Sequence, residues 1–265
     1  MHNIKQTEMK EKSFANEKAY NKSPLVEVAC QFLFGKNINI LPFEQLSKLR
    51  NAFESDFPIL DENLIAEIKP IPSEYDFQES RRVRRVFRNY ANEDKTRLVQ
   101  FGDLLFSINF LKHYSSWADF KPTVLDSFKK YWSILPDATV TGFKLIYINH
   151  FNLPESTLNL ADYFMLYPFA PPEIETIGKF SMNISVPCGG DDKLLIEMED
   201  ISDKNPLISV ELSYIKAFSN ERMRDDLSFE ELIDSLDRAH AVIGSTFEQI
   251  ITNKTRVLLG VQTDE

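Results

Sequence analysis

The side chain best placed for acid–base chemistry is a histidine in a helix predicted over residues 228–252. His240 stands one turn from Leu236 and Ile243, on the apolar stripe of that helix. Because an imidazole titrates near neutral pH, one interpretation is a general base or a pH switch. The other is a hydrogen-bonded core histidine that fixes the helix to a sheet. The second is favoured, since the sequence identifies no acidic or cysteine partner for the imidazole.

A second polar group lies near the end of a strand predicted over residues 143–151. Strand alternation places Tyr147 and Asn149 on one face and His150 on the other. These residues, together with His240, are candidates for a small-molecule or hydrolytic pocket in the concavity of a sheet. The alternative is a polar network that anchors the end of the strand to the following loop. The network is the favoured interpretation.

The cysteines give little support for chemistry. Cys188 is followed by a Gly-Gly pair and then by Asp191 and Asp192, whose charges raise a thiol pKa instead of lowering it. With Cys30 the chain has two cysteines, too few for a disulfide framework. Phosphate-binding loops, zinc motifs and the G-x-S-x-G elbow do not occur in the sequence. No cofactor, metal or catalytic residue is predicted, and an enzyme is disfavoured.

Arginines are concentrated in one short stretch of a chain whose formal net charge is -10. The predicted patch consists of Arg81, Arg82, Arg84, Arg85 and Arg88, with Arg97 across a hairpin turn. One interpretation is a solvated edge strand whose charges block edge-to-edge pairing. A second is docking to an acidic protein surface. A third is nucleic-acid contact, with Phe87 and Tyr90 stacking on bases. They are given in order of preference.

The helix over residues 228–252 is the clearest element of the sequence. Ser228 with Glu231 forms a capping-box pattern at its start. Apolar residues follow at helical spacing, at Phe229, Leu232, Ile233, Leu236, Ala239, Ile243, Phe247 and Ile250. Such a stripe requires a sheet or another helix to cover it.

Before this helix, two kinds of segment follow one another in a repeated order. In one, apolar residues recur at every second position, as in a strand; in the other they recur about every 3.6 positions, as in a helix. The first half reads strand 25–35, helix 43–57, strands 83–90, 97–102 and 104–111, and helix 116–135, with a loop over residues 58–80. The second half reads strand 143–151, short helix 158–166, strands 180–186, 194–198 and 207–218, and the final helix. The order predicts an internally duplicated β-α-β-β-β-α unit.

The predicted fold is therefore α+β: one curved antiparallel sheet with two long helices on the same face. Its general plan resembles the TATA-binding and helix-grip folds, a likeness that carries no function. Residues 1–22 are predicted as a flexible tail, 23–136 as the first repeat, 137–255 as the second repeat of the same compact domain, and 256–265 as a C-terminal tail.

Composition is that of a soluble globular protein, with 43% hydrophobic and 26% charged residues among 265. The sequence has no run of about 18 apolar residues, so no membrane-spanning helix is predicted. The first 22 residues are almost all polar and lack a signal-peptide core. A cytoplasmic location is expected.

Four segments together resemble a sporadically distributed family of uncharacterised bacterial proteins. They begin at Ser23, Tyr114, Tyr147 and His240, and read SPLVEV, YSSWADF, YINHFNLP, and a histidine followed by FEQIIT at residues 247–252. The family often has an arginine where this chain has Ile146. The resemblance implies a length and a fold type, but no activity, cofactor or catalytic residue.

The functional expectation is a non-enzymatic protein-interaction module of a bacterial accessory system, such as defence or toxin–antitoxin. Its partner is another protein or a second copy, without a membrane. Two alternatives stay open: a nucleic-acid-binding protein that uses the arginines, and a small-molecule or hydrolytic site near Tyr147, Asn149 and His240.

Overall fold

The protein is described here by a computed structural model covering residues 20–35, 43–61, 88–102, 105–111, 114–135, 137–154, 159–169, 179–202, 206–222 and 227–260. The fold is α+β, as predicted, with helices packed on one antiparallel sheet. The strands are β1 (Leu25–Phe34), β2 (Ile59–Asp61), β3 (Arg88–Ala91), β4 (Arg97–Gly102), β5 (Leu105–Leu111), β6 (Val140–Asn152), β7 (Ser181–Gly189), β8 (Asp192–Asp200) and β9 (Leu207–Arg222). The helices are α1 (Phe43–Phe53), α2 (Trp117–Ile134), α3 (Phe229–Ile250) and α4 (Asn253–Leu258).

The nine described strands form one open sheet in the order β2-β3-β4-β5-β1-β6-β9-β8-β7. Every neighbouring pair is antiparallel. The first strand of each predicted repeat, β1 and β6, pair with each other at the centre. The described edges of the sheet are β2 on one side and β7 on the other.

Both long helices cover the same face of the sheet, which we call the helix face. On β1 this face carries Phe32, whose ring stacks on Phe128 of α2 with centroids 3.8 Å apart. Phe32 stands opposite Phe143 of β6, and eight residues further along β6 Phe151 stacks on Phe247 of α3. Because side chains two apart on a strand share a face, α2 and α3 lie on the same side.

The core under α2 consists largely of aromatic rings. Phe106 of β5 stacks on Tyr131 of α2 with centroids 4.3 Å apart, and Phe101 of β4 stacks on both. Trp132 is buried, and its indole Nε1 donates to the carbonyl oxygen of Ala138 at 2.9 Å. A buried indole N–H is thereby satisfied, which its burial requires.

The helix starts follow ordinary capping chemistry. The Ser116 hydroxyl accepts from the Asp119 N–H, and the Ser228 hydroxyl accepts from the N–H groups of Glu230 and Glu231. The predicted cap at Ser228 is confirmed. Pro122 lies inside α2, which begins at Trp117 rather than at the proline.

Three elements differ from the sequence-based expectation. The predicted loop contains β2, which pairs with β3. The predicted helix at residues 158–166 is a single 3₁₀ turn, Leu160–Asp162, because Phe164 instead makes a bridge to Ile251. Beyond α3 the chain forms α4, capped by the Thr252 hydroxyl, which accepts from the Thr255 N–H.

Residues 20–22, assigned to the N-terminal tail by sequence, contact the C-terminal end of the described chain. The Lys22 N–H donates to the Leu259 carbonyl and the Asn21 amide donates to the Gly260 carbonyl, each at 3.0 Å. Tyr20 packs edge-on against Phe247 of α3. Residues 1–19 and 261–265 lie outside the described chain, and the predicted tail and repeat boundaries stay predictions.

Gly142→Ala should destabilise the fold by about 2 kcal/mol or more, because a Cβ at this position would overlap the backbone oxygen of Lys216 on β9. The matched control is Gly244→Ala in α3, where a Cβ meets nothing within 4 Å. That change should stabilise the protein by roughly 0.5–1 kcal/mol. Urea unfolding measures both, and equal effects would contradict the close approach of β6 to β9.

Candidate functional site

The histidine singled out by sequence belongs to a hydrogen-bonded cluster on the helix face. The Tyr147 hydroxyl of β6 lies 2.8 Å from Nδ1 of His240 on α3. The Tyr114 hydroxyl, just before α2, lies 3.2 Å from the Tyr147 hydroxyl. The cluster therefore joins β6, α3 and the segment that leads into α2.

Two side chains of α2 complete this cluster from its other side. The Trp117 indole stacks on the His240 imidazole with centroids 4.3 Å apart and planes 4° apart. Its Nε1 donates to Asp237 at 2.7 Å, and the Lys121 ammonium forms an ion pair with the same carboxylate at 2.8 Å. Asp237 thus receives charge-assisted hydrogen bonds from two residues of α2.

The arrangement fits a structural role better than a catalytic one. The Tyr147 hydroxyl contacts both His240 and Tyr114, and the Asp237 carboxylate contacts both Trp117 and Lys121. These hydroxyl and carboxylate groups thus contact other protein groups. The Tyr147–His240 contact joins α3 to the sheet, in line with the interpretation favoured for His240 from sequence, and the Asp237 contacts also tie α2 to α3.

The other two predicted pocket residues lie apart from this cluster. Asn149 is buried on the helix face, and its amide donates to the Val210 carbonyl of β9 at 3.4 Å. His150 faces the opposite side of the sheet, where partial burial lowers its pKa. Of the four proposed pocket residues, Tyr147 and His240 contact each other directly.

A second polar cluster lies on the sheet face opposite the helices, and sequence analysis did not propose it. Glu27 of β1 accepts from the Asn109 amide of β5, and Asn109 in turn accepts from the Ser107 hydroxyl at 2.7 Å. On β9, Glu211 accepts from the Ser213 hydroxyl and pairs with Lys144 of β6 at 3.1 Å. These contacts cross the centre of the sheet. We call this set the second-face cluster.

The charge of Glu27 is the unusual feature of the second-face cluster. Burial raises the pKa of its carboxyl, and the negative charge of Glu211 raises it further, while the hydrogen bond from Asn109 lowers it. Register explains the proximity, since Glu27 stands opposite Ile148 and Ile148 stands opposite Glu211. The signal in the sequence is a glutamate within the predicted strand 25–35, a position to which no role was assigned.

Cys188 lies beside a small polar cavity between the β8–β9 strands and α3. The cavity has a volume of about 170 Å³ and is lined by Asp192, Tyr214, Lys216, Asp234, Ser235 and Arg238. Asp192 is buried and accepts from the Tyr214 hydroxyl at 2.9 Å and the Lys216 ammonium at 3.2 Å. Burial raises the Tyr214 pKa, and the Asp192 contact adds to that effect.

The surroundings of Cys188 do not activate its thiol. Burial raises the Cys188 pKa, as does the charge of Asp192, against opposing effects of the Leu194 backbone and Arg238. Arg238 is already engaged, since its guanidinium donates to the Cys188 carbonyl at 2.9 Å. A reactive thiolate needs the opposite balance of effects.

Most of the predicted arginine patch lies outside the described residues, which include neither residues 81–87 nor the Arg88 side chain. Arg97 is described, and its guanidinium carbon lies 4.5 Å from the centroid of the Phe110 ring on β5. Its charge also lowers the pKa of Asp119 slightly, after the larger effects of Ser115 and Ser116. Arg97 therefore lies on the helix face, stacked on the core edge.

A segment of irregular structure after the 3₁₀ turn exposes large apolar side chains. Met165 is 69% exposed, Tyr167 37% and Phe169 80%. The intervening Leu166 packs against the core, so alternate residues point outward. We call residues 165–169 the apolar stretch.

No group of three histidine, cysteine, aspartate or glutamate side chains within the described ranges is arranged to hold a metal ion. Among the helices of those ranges, none combines the length and apolarity needed to cross a membrane.

No family model matches the chain. The curated proteins likewise contain no significant match to it.

Glu27→Gln is expected to stabilise the protein at about pH 8 and much less at about pH 4. The folded state binds the Glu27 proton more tightly than the unfolded chain does, because its pKa is raised. Wild-type stability therefore falls as pH rises from the ordinary glutamate pKa of about 4.3 through the raised folded value. Glutamine keeps the acceptor oxygen but carries no charge.

Urea unfolding across this pH range tests the Glu27 prediction. Glu93→Gln, in the exposed turn between β3 and β4, is the control and should show no such pH-dependent gain. A Glu27→Gln effect that is constant with pH would contradict the assignment.

Tyr147→Phe should cost about 2 kcal/mol, because it removes hydrogen bonds to both His240 and Tyr114, and His240→Phe should cost about 1 kcal/mol, the net worth of one hydrogen bond. The phenyl ring at position 240 retains an aromatic surface for Trp117. Because the two groups bond each other, the double variant should cost less than the sum by about 0.5 kcal/mol or more. Urea unfolding of the wild type, the two single variants and the double variant tests this. Tyr167→Phe, at an exposed position, is the control and should have little effect. Strictly additive costs would contradict the Tyr147–His240 contact.

Proposed function

We propose that this protein is a non-enzymatic protein-interaction module that holds a partner protein through the apolar stretch. The observation that carries the proposal is the exposure of Met165, Tyr167 and Phe169 within five residues. Aromatic residues and methionine are enriched at protein interfaces. Single exposed apolar side chains are common, whereas several together on one segment indicate a binding surface.

The first residues of the apolar stretch are fixed by contacts with the core, so the stretch is ordered where it begins. Phe164 is fully buried, packs edge-on against Phe151 and bridges to Ile251. The Met165 N–H donates to the Ile250 carbonyl at 2.8 Å, and the Thr252 N–H donates to the Tyr163 carbonyl at 3.0 Å. A surface ordered before binding loses less conformational entropy on association.

The chemistry of the stretch also suits a protein partner. Residues 165–169 read Met-Leu-Tyr-Pro-Phe and carry no charge, although the chain as a whole has a net charge of -10. Covering them requires no ion to leave water, and Pro168 removes one backbone donor that a partner would otherwise have to satisfy. The expected partner surface is an apolar groove or pocket.

We also propose the internal duplication predicted from sequence, in the TATA-binding or helix-grip general plan. Its support is the sheet order, in which β1-β5-β4-β3 on one side of the centre corresponds to β6-β9-β8-β7 on the other. In each half the first strand pairs with the last strand of a three-strand meander, and a long helix follows that meander.

The wider biological setting stays a prediction. Membership of the sporadic bacterial family, a cytoplasmic location and a role in defence or toxin–antitoxin systems depend on the sequence resemblance and composition. Docking or nucleic-acid binding through the arginine patch also stays a prediction, as does a small-molecule site. The patch consists of Arg81, Arg82, Arg84, Arg85, Arg88 and Arg97.

The test is a comparison of partner capture between wild type and a double variant, Met165→Ser with Phe169→Ser. Wild-type protein is purified from its native host and its stoichiometric companion is identified by native mass spectrometry. The purified partner should then bind the double variant at least about tenfold more weakly, because interface anchors of this type commonly contribute 2 kcal/mol or more.

Val257→Ser is the matched control, since Val257 is also exposed, at 56%, but lies on α4 outside the stretch. It should leave partner affinity unchanged. Equal binding by all three proteins would reject the stretch as the interface, and a wild type that carries no protein partner would reject the function itself.

A further inference from the structure

The edge strand β7 differs from the other described edge of the sheet in length and charge. At the β2 edge the strand has three residues and ends in Asp61. β7 has nine residues, Ser181 to Gly189, with no charged side chain among them. Proteins normally block long edges with charge or keep them short, because an unblocked edge pairs with further strands.

The hydrogen-bond register shows which β7 backbone groups face outward. The Asp200 N–H donates to the Phe180 carbonyl at 3.1 Å, so Phe180 and Asp200 form a hydrogen-bonded pair between β7 and β8. Hydrogen bonding alternates along an antiparallel strand, and the pairing continues in register from Ser181 to Pro187. The backbone groups of Ser181, Asn183 and Ser185 therefore point away from β8, to the edge.

Pro187 supports this assignment. Pro187 is odd-numbered, like the three residues whose backbone groups point away from β8. The N–H that proline lacks would therefore point to the edge, and no hydrogen bond to β8 is lost. Proline in a sheet is found at such edge positions. It also ends the run of outward donors, which leaves three N–H groups spaced evenly about Asn183.

We infer that the β7 edge pairs with β7 of a second copy of this chain, antiparallel, about a two-fold axis at Asn183. In that register Asn183 faces its own copy, and Ser181 faces Ser185 of the other chain in both directions. The outward N–H and C=O groups of these three residues then bond to those of the other copy, which makes about six backbone hydrogen bonds. The two nine-stranded sheets become one continuous sheet.

The side chains of β7 are self-complementary in the same register. On the helix side, Met182 comes opposite Ile184 and Phe180 opposite Val186, so apolar surface meets apolar surface. Val186 is exposed and Met182 and Ile184 are half-buried in the single chain. Cross-strand pairs of this kind stabilise a sheet. Because β7 is uncharged, the copies meet without a like-charge contact despite the net charge of -10.

This interface is separate from the apolar stretch and does not depend on the proposed function. A free edge also accepts an extended segment from a different protein. The self-complementary arrangement about Asn183 favours a second copy, and a monomeric wild type would overturn that choice.

Sedimentation velocity of the full chain over a range of concentrations tests the inference. Wild type should form a dimer. Asn183→Lys and Asn183→Glu should each weaken the dimer at least about tenfold, because a two-fold axis places like charges directly opposite each other. An equimolar mixture of the two variants should recover the dimer, since lysine then faces glutamate.

Two control variants test whether the dimer is weakened by charge at Asn183 in particular or by any surface substitution. Ser133→Lys, exposed on α2, adds the same charge and should leave the dimer intact. The Met165→Ser with Phe169→Ser variant should also dimerise normally. A monomeric wild type, unaltered dimers of both Asn183 variants, or a mixture that stays monomeric would each overturn the inference.

Discussion

Pairing of β1 with β6 is the contact on which the rest of the structure depends. It joins the two halves of the chain through an unbroken ladder from Glu27 to Leu33, and it sets which side chains share a face. Phe32 and Phe143 are thereby adjacent and both inaccessible to solvent. A slip of one residue would move each of these rings to the opposite face, so the burial of the aromatic core fixes the register.

The two faces of the sheet carry out different tasks once that register is set. The helix face is covered by α2 and α3, and its polar groups, such as Tyr147 and His240, bond between elements. The opposite face carries the second-face cluster, in which Glu27 and Glu211 are held near each other by strand order. Repulsion between these carboxylates opposes folding, and the donors Asn109, Ser213 and Lys144 offset it.

Local chemistry was predictable from sequence, whereas long-range pairing was not. The hydroxyl cap at Ser228 and the amphipathic stripe of α3 depend on residues within a few turns, and both were found. β2 was missed because three residues carry too weak a pattern, and its strand state depends on pairing with β3. The helix predicted near Leu160 shortened to one turn because Phe164 is used in a tertiary bridge to Ile251.

The candidate surfaces were missed for a related reason. A sequence shows that Phe169 and Met165 are apolar, and apolar residues are by default assigned to a core. Exposure follows from the anchoring of Phe164, which turns alternate side chains of the stretch outward. The edge at β7 is similarly a property of sheet order, since the alternation of Met182 and Ile184 reads the same in a central strand. Both surfaces follow from the assembled topology, since β7 is an edge among the described strands and the buried Phe164 anchors the start of the apolar stretch.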